Sequence, residues 1–466
     1  MKSSIWNKLG RTLLSTTLGT SLILGGVLTA KANEAPAAVP QISSWSVSNL
    51  HEGEKYGIFP LTWYYDGTFQ QPIDAAKFQS LITATTAKLD ALGFKKKPVI
   101  LAVPSDSKEI TRDTVIQSLY RVLNSYELPE SFEMGNNTPV EYLQKKGIVN
   151  GTNRGLDLSL PCTVEQAAVL ASRLVEYTYE TAQGGANGLF WKVTNKGNTL
   201  YLLGSIHIGI PEMYPFQKNI KDAFEESESL WVEANLLSSD QETMAYFQQL
   251  QLYNDGTTLK DHISKETYEK LQKLTTKLNM PANSFDTIKP WAITTSLSLL
   301  SLLNSPDEIS QASTLGVDMY LLTSAMLSGK PIHELEGIKL QGDILSNVTP
   351  EQQEKELNQM LDALLDESTD ELNLPEEFKK AQLQWAKGDL DAFSKSFLIS
   401  GSANDSPESQ RLLGDRDKNM ANKLAELLEA EGESTHFVVV GAAHFVTKDM
   451  VLDQLKKKGY TVEFIQ

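Results

Sequence analysis

The stretch TLYLLGSIHIG, residues 199–209, has a counterpart near the carboxyl end, HFVVVGAAHF, residues 436–445. Each is an apolar run of strand length that reaches a glycine and places a histidine three residues later, His207 in the first copy and His444 in the second. Nearly continuous apolar runs are typical of strands buried on both faces of a parallel sheet. The sequence therefore predicts an α/β fold in which both histidines follow the carboxyl ends of strands, at the edge where such sheets bind ligands.

A third short apolar run, residues 230–232, is followed at once by Glu233. Three buried strands would present two imidazoles and one carboxylate at the same edge of the sheet. This set is common in divalent-metal sites that keep positions open for water and substrate. A single histidine after a strand is more often a hydrogen-bonded structural residue, but the repeated motif favours a shared site. We therefore predict that His207, His444 and Glu233 surround a divalent ion.

The amino terminus has the pattern of a signal peptide. Residues 1–32 begin with basic side chains, continue with a short apolar stretch and end in Ala30-Lys31-Ala32, a small-x-small cleavage site. An uncleaved helical anchor is the alternative, although the apolar stretch is short and rich in Gly, Ser and Thr. We expect cleavage after Ala32 and a secreted protein in which residues 33–43, rich in Pro and Ala, form a linker.

Length and charge restrict the class of protein further. The 466 residues predict roughly two or three domains. The formal net charge of −17 becomes −21 without residues 1–32, which contain four basic and no acidic side chains, so we expect no nucleic-acid partner. Cys162 is the only cysteine and cannot form an intrachain disulfide. Residues 291–303 are too short to span a bilayer and are predicted to form a buried helix, so no transmembrane segment is expected in the mature chain.

Residues 44–183 contain a weak repeat. A Gly-containing turn, a polar helix start and an amphipathic helix follow one another in three copies. Thr111 and Thr163 are predicted to be N-caps, because a threonine hydroxyl can accept a hydrogen bond from an unpaired N–H of the first helical turn. The pattern predicts a mainly helical amino-terminal domain.

This region resembles the S-layer homology domain, whose tandem repeats bind the cell-wall polymer of Gram-positive-type envelopes. The resemblance implies a wall-polymer site that includes Thr111 and Arg112 in the second copy and Thr163 and Glu165 in the third. A small helical module that only packs is the alternative. A wall-polymer site implies a protein associated with the cell wall or the cell surface.

The glycine-rich residues 183–188 predict a hinge before a second domain, residues 188–466. Its start, residues 189–203, has the pattern of a β-hairpin with an Asn/Gly turn. Helical patterns then alternate with short strands, residues 351–397 are predicted to form acidic helices of a cap or insertion, and the chain closes with a helix and a strand.

This second domain resembles the TraB/GumN (PrgY, TIKI) family. The resemblance rests on a combination of motifs: the two Gly-x-x-His turns, the strand before Glu233, Gly316-Val317-Asp318 before a helix, Lys330-Pro331-Ile332 leading to Leu335-Glu336, Arg416 with Asn419, and a closing Gly-Tyr-x-Val-like strand. It implies a central mixed sheet flanked by helices, related to erythromycin esterases and certain haem-binding lipoproteins. It also implies a peptidase that depends on a divalent metal such as Mn, Co or Zn.

The resemblance implies a site built from His207, Glu233 and His444, with Arg416 nearby. We expect the two histidines to be metal ligands and Glu233 to be either a third ligand or the base that takes a proton from water. Arg416 would stabilise an oxyanion or bind a substrate carboxylate, unless it is only a surface ion-pair partner. Asn419, one helical turn away, is assigned to the same catalytic face.

Three further residues are assigned supporting positions. Glu336 and Asp318 are predicted to support the imidazoles from behind, with helix capping as the alternative for Asp318. Ser205 has no base at an obvious spacing, which disfavours a nucleophilic role. The other four histidines have no partner at an informative spacing and are predicted to be surface or structural residues: His51, His262, His333 and His436.

The sequence contains neither the His-Glu-x-x-His helix of zinc peptidases nor the Gly-x-Ser-x-Gly turn of serine hydrolases. The hypothesis it favours is a secreted, wall-associated metal-dependent hydrolase that cleaves an extracellular peptide or protein. Two alternatives stay open: a non-catalytic protein that binds a peptide or haem, and an esterase that acts on a small ester or lactone.

Overall fold

The computed structural model of the chain describes residues 40–98, 109–151, 155–237, 240–303, 308–366, 373–397 and 414–465. The predicted signal peptide and most of the predicted linker lie outside the described residues. The described chain divides into an amino-terminal unit, which includes residues 40–186 together with Pro211–Lys221, and a carboxyl-terminal unit formed by Asn187–Ile210 and the described residues from Asp222 onward. Residues 211–221 thus belong to the amino-terminal unit, although in sequence they follow the first histidine motif.

The amino-terminal unit is built from helices with apolar inner faces. Its main helices are α1 (Val47–Lys55), α2 (Ala75–Asp90), α3 (Arg112–Asn124), α4 (Pro139–Lys145) and α5 (Val164–Ala182). Thr111 accepts a hydrogen bond from the Thr114 N–H at the start of α3, and Thr163 does the same for Gln166 at the start of α5. Both predicted N-caps are therefore confirmed.

The carboxyl-terminal unit contains one six-stranded sheet. Its strands are β1 (Leu189–Asn195), β2 (Asn198–Ser205), β3 (Ser229–Val232), β4 (Ile332–Glu334), β5 (Thr435–Gly441) and β6 (Val462–Ile465), in the spatial order β4-β3-β5-β2-β1-β6. Strands β4, β3, β5 and β2 pair in parallel, whereas β1 is antiparallel to both β2 and β6. The predicted mixed sheet and the β1–β2 hairpin are confirmed.

The helices of this unit complete the α/β arrangement. They are α6 (Lys218–Glu226), α7 (Gln241–Gln251), α8 (Lys265–Lys277), α9 (Pro290–Leu300), α10 (Glu308–Thr314), α11 (Val317–Ser328), α12 (Ile338–Ser346), α13 (Pro350–Leu365), α14 (Leu374–Lys387), α15 (Leu390–Phe397), α16 (Asp415–Glu429), α17 (Ala442–Val446) and α18 (Val451–Lys457). Helix α6 begins in the other unit's segment and continues into this one.

The core of the sheet lies where the sequence is most continuously apolar. In β2 and β5, the side chains of Leu200, Leu202 and Val438 are fully buried. Ser205 pairs with Gly441, and Val232 pairs with Val439, so the carboxyl ends of β2, β3 and β5 lie side by side. This register brings the residues that follow the three strands to one edge.

Helix α9 occupies the stretch that the sequence assigns to a buried helix. Nearly all its residues are buried, and its serine and threonine hydroxyls donate to backbone carbonyls one turn earlier, as Thr294 does to Pro290. Polar side chains can be buried in this way because each donor is satisfied within the helix. No helix in the described ranges has the length and apolarity needed to cross a lipid bilayer.

Candidate metal centre

The three predicted residues meet around Gly441, the last residue of β5. The Gly441 N–H donates to Oε1 of Glu233 at 2.6 Å. A Cβ atom placed on Gly441 would lie 3.2 Å from Glu233 Oε1, 3.5 Å from His207 Nε2 and 3.7 Å from Cδ2 of His444. The two histidines, remote along the chain, therefore face the same small space as Glu233.

His207 lies two residues beyond β2, and its ring is buried beside α11. Its Nδ1 is 2.6 Å from Oδ2 of Asp318, the second residue of that helix. The other oxygen of Asp318 accepts a hydrogen bond from the Ser205 hydroxyl at 2.8 Å. Asp318 thus holds the imidazole from behind, as predicted, and Ser205 holds Asp318. The Ser205 hydroxyl donates to a carboxylate and not to a histidine, so the site lacks the Ser–His pair of serine hydrolases.

His444 lies in α17, the short helix that follows β5. Its Nδ1 is 2.9 Å from Oδ1 of Asp417, and its Nε2 is 3.9 Å from Oε2 of Glu233. Both His444 and Asp417 are almost completely buried. Each imidazole therefore contacts a carboxylate through Nδ1, which leaves Nε2 on the side of the shared space.

Glu233 is fixed by a second set of contacts. Its Oε2 accepts from a terminal nitrogen of Arg416 at 3.0 Å and from the Gln341 amide at 3.2 Å. Arg416 also forms two hydrogen bonds with Glu336, at 2.8 Å from Nε and 2.6 Å from the same terminal nitrogen. A guanidinium is suited to this arrangement because its planar fork matches carboxylate geometry.

The buried charges shift several pKa values. Burial is the largest influence and disfavours the imidazolium forms, but the carboxylates of Asp318 and Glu233 together outweigh it and raise the pKa of His207. The carboxylates of Asp417 and Glu233 raise the pKa of His444 in the same way. Burial alone would raise the pKa of Glu336, yet the Arg416 guanidinium holds it below its usual value. In the metal-free protein the two imidazoles are therefore better proton acceptors than ordinary histidines.

Residues 189–464, more than half of the chain, match the sequence profile described as the TraB/PrgY/gumN family. The chain belongs to the TraB/PrgY/gumN family. The matched region begins at β1 and ends within β6, so the family domain contains the complete sheet and all the site residues described above.

Among similar proteins, the Metalloprotease TIKI homolog of Nematostella vectensis is 24% identical over 338 residues, which cover 61% of this chain and 69% of that protein. Metalloprotease TIKI1 of Danio rerio is 24% identical over 320 residues, 61% of this chain and 64% of that protein. Uncharacterized protein YbaP of Escherichia coli (strain K12) is 27% identical over 150 residues, 32% of this chain and 53% of that protein. No solved structure gives a significant match.

The TraB/PrgY/gumN site has a donor set and a charge that fit a cation. The centre contains four buried carboxylates and one guanidinium, which gives a formal charge of −3 when both imidazoles are neutral. Glu233 and Glu336 contact Arg416, while Asp318 and Asp417 contact the two histidines. A buried excess of negative charge requires a counter-charge, and a divalent ion or two protons would supply it.

In the structure, His207, His444 and Glu233 are close together but are not arranged as a complete set of metal ligands. Across the part of the chain that the structure describes, no three His, Cys, Asp or Glu side chains are arranged as a metal-binding group. Glu233 is instead engaged by the Arg416 guanidinium, the Gln341 amide and the Gly441 N–H. The groups that face the shared space without a hydrogen bond among the described residues are the Nε2 atoms of the two histidines.

Two sequence-based assignments and one alternative need correction. Asn419 is exposed on α16, whereas Arg416 is buried. Residues three apart on a helix differ by about 60° in direction, which is enough to place one in the core and the other in solvent. Glu336 supports Arg416 and not an imidazole. Because Arg416 is buried between two glutamates, it is not a surface ion-pair partner.

The sequence reasoning missed Asp417 and Gln341. Asp417 contacts His444, and Gln341 bridges Glu233 and Glu336 through one amide nitrogen. A signal for Asp417 existed: like Asp318, it lies in the first turn of a helix that begins after a glycine, two residues after Gly316 for Asp318 and three residues after Gly414 for Asp417. Gln341 lies in an ordinary amphipathic helix and gave no signal.

The residues assigned to a wall-polymer site all lie at the starts of α3 and α5. The Arg112 side chain is buried and donates to the carbonyl of Asn150 at 2.8 Å, while its Nε has no hydrogen-bond partner within the described part of the chain. Glu165 is buried and accepts from the backbone N–H and hydroxyl of Ser43. Thr111 and Thr163 are partly exposed caps.

Two of the remaining histidines show the contacts expected of structural or surface residues. Nδ1 of His436 is 2.9 Å from the Ser229 hydroxyl at the opposite end of the sheet from the metal centre. His262 is exposed and stacks on Tyr253, with ring centroids 4.1 Å apart. Neither contacts the centre around Gly441.

Proposed function

We propose that this protein is a divalent-metal-dependent hydrolase that cleaves peptide bonds. The observation that supports the proposal most strongly is the convergence of His207, His444 and Glu233 on the space beside Gly441, where even a methyl group would touch all three. The names of the TIKI relatives, which call those proteins metalloproteases, favour a peptide over other substrates.

In this proposal the two imidazoles hold the cation through Nε2. The carboxylates on Nδ1 favour the tautomer that leaves Nε2 unprotonated, and they raise the basicity of the ligands. The formal charge of −3 in the metal-free centre favours a divalent ion over a monovalent one. When bound, such an ion would polarise a scissile carbonyl and lower the pKa of a nearby water.

Glu233 is assigned the proton-transfer step. Its carboxylate lies beside His444 and is held from three directions, so it can accept a proton from water without first reorienting. Arg416 is assigned to this orientation, because its described hydrogen bonds go to Glu233 and Glu336. The sequence-based expectation that Arg416 contacts an oxyanion or a substrate carboxylate stays a prediction.

The proposal is tested with the protein from residue 33 onward and a mixture of peptides, with Mn²⁺, Co²⁺ or Zn²⁺ added separately. New peptide termini are identified by mass spectrometry. We expect cleavage that His207→Ala and His444→Ala abolish while the circular dichroism spectrum is unchanged, and that His262→Ala, at an exposed histidine of the same unit, leaves intact. Cleavage at the wild-type rate in either site variant would reject the proposal.

The same experiment separates the alternatives. Capture of a peptide or of haem without cleavage would indicate a binding protein, and hydrolysis of small esters or lactones without peptide cleavage would indicate an esterase. The candidate functions differ in whether a product is released and in what that product is, so direct identification of the products distinguishes them.

We also propose, from the sequence resemblance, that the protein is exported and that residues 44–183 attach it to a wall polymer. The buried Arg112 Nε, which has no hydrogen-bond partner among the described residues, supports a polar ligand near α3, because a buried N–H without a partner is costly. Export is tested by the amino-terminal residue of the mature protein, expected to be Asn33. Attachment is tested by sedimentation with pyruvylated wall polymer, and no retention would leave the packing role alone.

A further inference from the structure

Both imidazoles of the candidate centre receive an acid from the first turn of a helix. Asp318 is the second residue of α11, and Asp417 is the third residue of α16. A carboxylate is favoured in that position because the unpaired N–H groups of the first turn and the helix dipole stabilise negative charge. The two Gly-x-x-His motifs are therefore matched by two acids supplied in the same structural context.

Asp417 makes two contacts that use different oxygens. Oδ1 lies 2.9 Å from Nδ1 of His444, and Oδ2 accepts from the Gly414 N–H at 3.1 Å. The second contact closes the start of α16, which holds the carboxylate in place. The first contact is satisfied only when Nδ1 carries the proton, because an ionised carboxylate can accept but cannot donate.

A proton on Nδ1 leaves the neutral imidazole with an unshared electron pair on Nε2. That nitrogen is 3.9 Å from Oε2 of Glu233 and faces the space beside Gly441. The opposite tautomer would direct an N–H into this space and could not bind a cation there. We propose that Asp417 is a positioning residue that fixes the tautomer and ring orientation of His444 for cation binding.

The role of Asp417 in cation binding rests on the proposed function, but the tautomer of His444 can be measured independently of that function. The simpler explanation is that Asp417 only closes the first turn of α16. Loss of a capping interaction lowers stability, but it does not alter which nitrogen of His444 is protonated. The tautomer therefore separates a positioning role from a structural one.

The experiment compares Asp417→Asn with Asp415→Asn. Asp415 lies in the same first turn but is exposed and paired with Lys418, at 2.9 Å, so its substitution removes the same charge without a contact to His444. Titration with Co²⁺ measures affinity, and nitrogen-15 NMR of labelled histidines in metal-free protein, at a pH where the imidazoles are neutral, reports the tautomer.

We expect the wild-type protein to show His444 protonated on Nδ1. Asp417→Asn should populate the Nε2-protonated form and weaken Co²⁺ binding about 10–100-fold, the usual effect of removing a partner of a metal ligand. Asp415→Asn should change affinity less than about twofold. Unfolding curves of both variants report any loss of the cap.

Protonation of wild-type His444 on Nε2 would overturn the inference, and this measurement needs no variant to fold. An Asp417→Asn protein with unchanged tautomer and unchanged affinity would overturn it as well. If the wild-type protein binds no divalent ion, the proposed function fails, while the tautomer of His444 still decides whether Asp417 positions the ring.

Discussion

The two glycines of the repeated motif have different roles, and alanine substitutions distinguish them. Gly441 has backbone angles of φ −48° and ψ 133°, which alanine adopts without strain. The added methyl would lie 3.2 Å from Glu233 Oε1, 3.5 Å from His207 Nε2 and 3.7 Å from His444 Cδ2. Gly441→Ala therefore places a methyl group in the space where the side chains of the centre converge.

The size of the effect follows from these distances. Imidazole and carboxylate ligands lie about 2.0–2.2 Å from a bound zinc ion, so the donors must approach a common point more closely than the methyl group allows. We expect Gly441→Ala to weaken divalent-ion binding at least tenfold, which corresponds to about 1.4 kcal/mol. The loss of affinity should exceed any loss of folding stability.

Gly204→Ala should have the opposite signature. Its methyl would lie 3.1 Å from the Cα of Ala442 and 3.3 Å from the Cβ of the same residue. Because the nearest atom belongs to the backbone, the strand and α17 must move apart, and overpacking of this kind costs about 1–3 kcal/mol.

Both variants are assayed by Co²⁺ titration and by urea unfolding of the metal-free protein. The expected pattern is lost binding with a small stability change for Gly441→Ala, and lost stability for Gly204→Ala. Wild-type affinity in Gly441→Ala would refute the assignment of the space beside Gly441 to the cation. Wild-type stability in Gly204→Ala would refute the packing role of the first glycine.

Three further predictions follow from the buried charges. Arg416→Met leaves the carboxylates of Glu336 and Glu233 buried without their guanidinium partner. Urea unfolding should therefore show a loss of about 3–5 kcal/mol in the free energy of unfolding. A loss below about 1 kcal/mol would contradict the stabilising role of this ion pair. The raised pKa values of His207 and His444 mean that the folded, metal-free protein binds these protons more tightly than the unfolded chain. The stabilisation from these two protons is complete below about pH 6.5 and is lost as the pH rises through the folded-state pKa values. The unfolding free energy of His444→Gln should therefore fall less with rising pH than that of the wild type. Parallel pH profiles of the two proteins would count against this prediction. Ser205→Ala removes one hydrogen bond and should cost about 1 kcal/mol in thermal unfolding while peptide cleavage persists; complete loss of cleavage in a folded variant would restore a nucleophilic role.

The arrangement of the sheet could be predicted because each strand is indicated by a short, continuous stretch of the sequence. The apolar runs before His207, Glu233 and His444 are long enough to identify buried strands, and strands of one direction end at a common edge. The predicted meeting of the three side chains follows from that rule alone. The sequence did not indicate the short helix α17, which begins directly after Gly441 and places His444 within its first turn and a half.

The partners of these residues were less accessible to prediction because they depend on packing between remote elements. Asp417 contacts His444, which follows it by 27 positions, and Gln341 contacts Glu233 across 108. Neither spacing has a local period that would connect the two residues. Arg416 was assigned correctly to the neighbourhood, but its burial depends on Glu336, which approaches from the loop after β4. The exposure of Asn419 shows that two side chains three residues apart on a helix can differ enough in direction for one to be buried and the other exposed.

The central claim is that two imidazoles from separate copies of one motif hold a single cation. Its most direct test is the stoichiometry and affinity of Co²⁺ binding in the wild type, His207→Ala and His444→Ala proteins, each verified as folded. We predict one ion per chain in the wild type and at least about tenfold weaker binding in either variant. A wild-type protein that binds no ion, or a single variant that binds it with unchanged affinity, would contradict the claim.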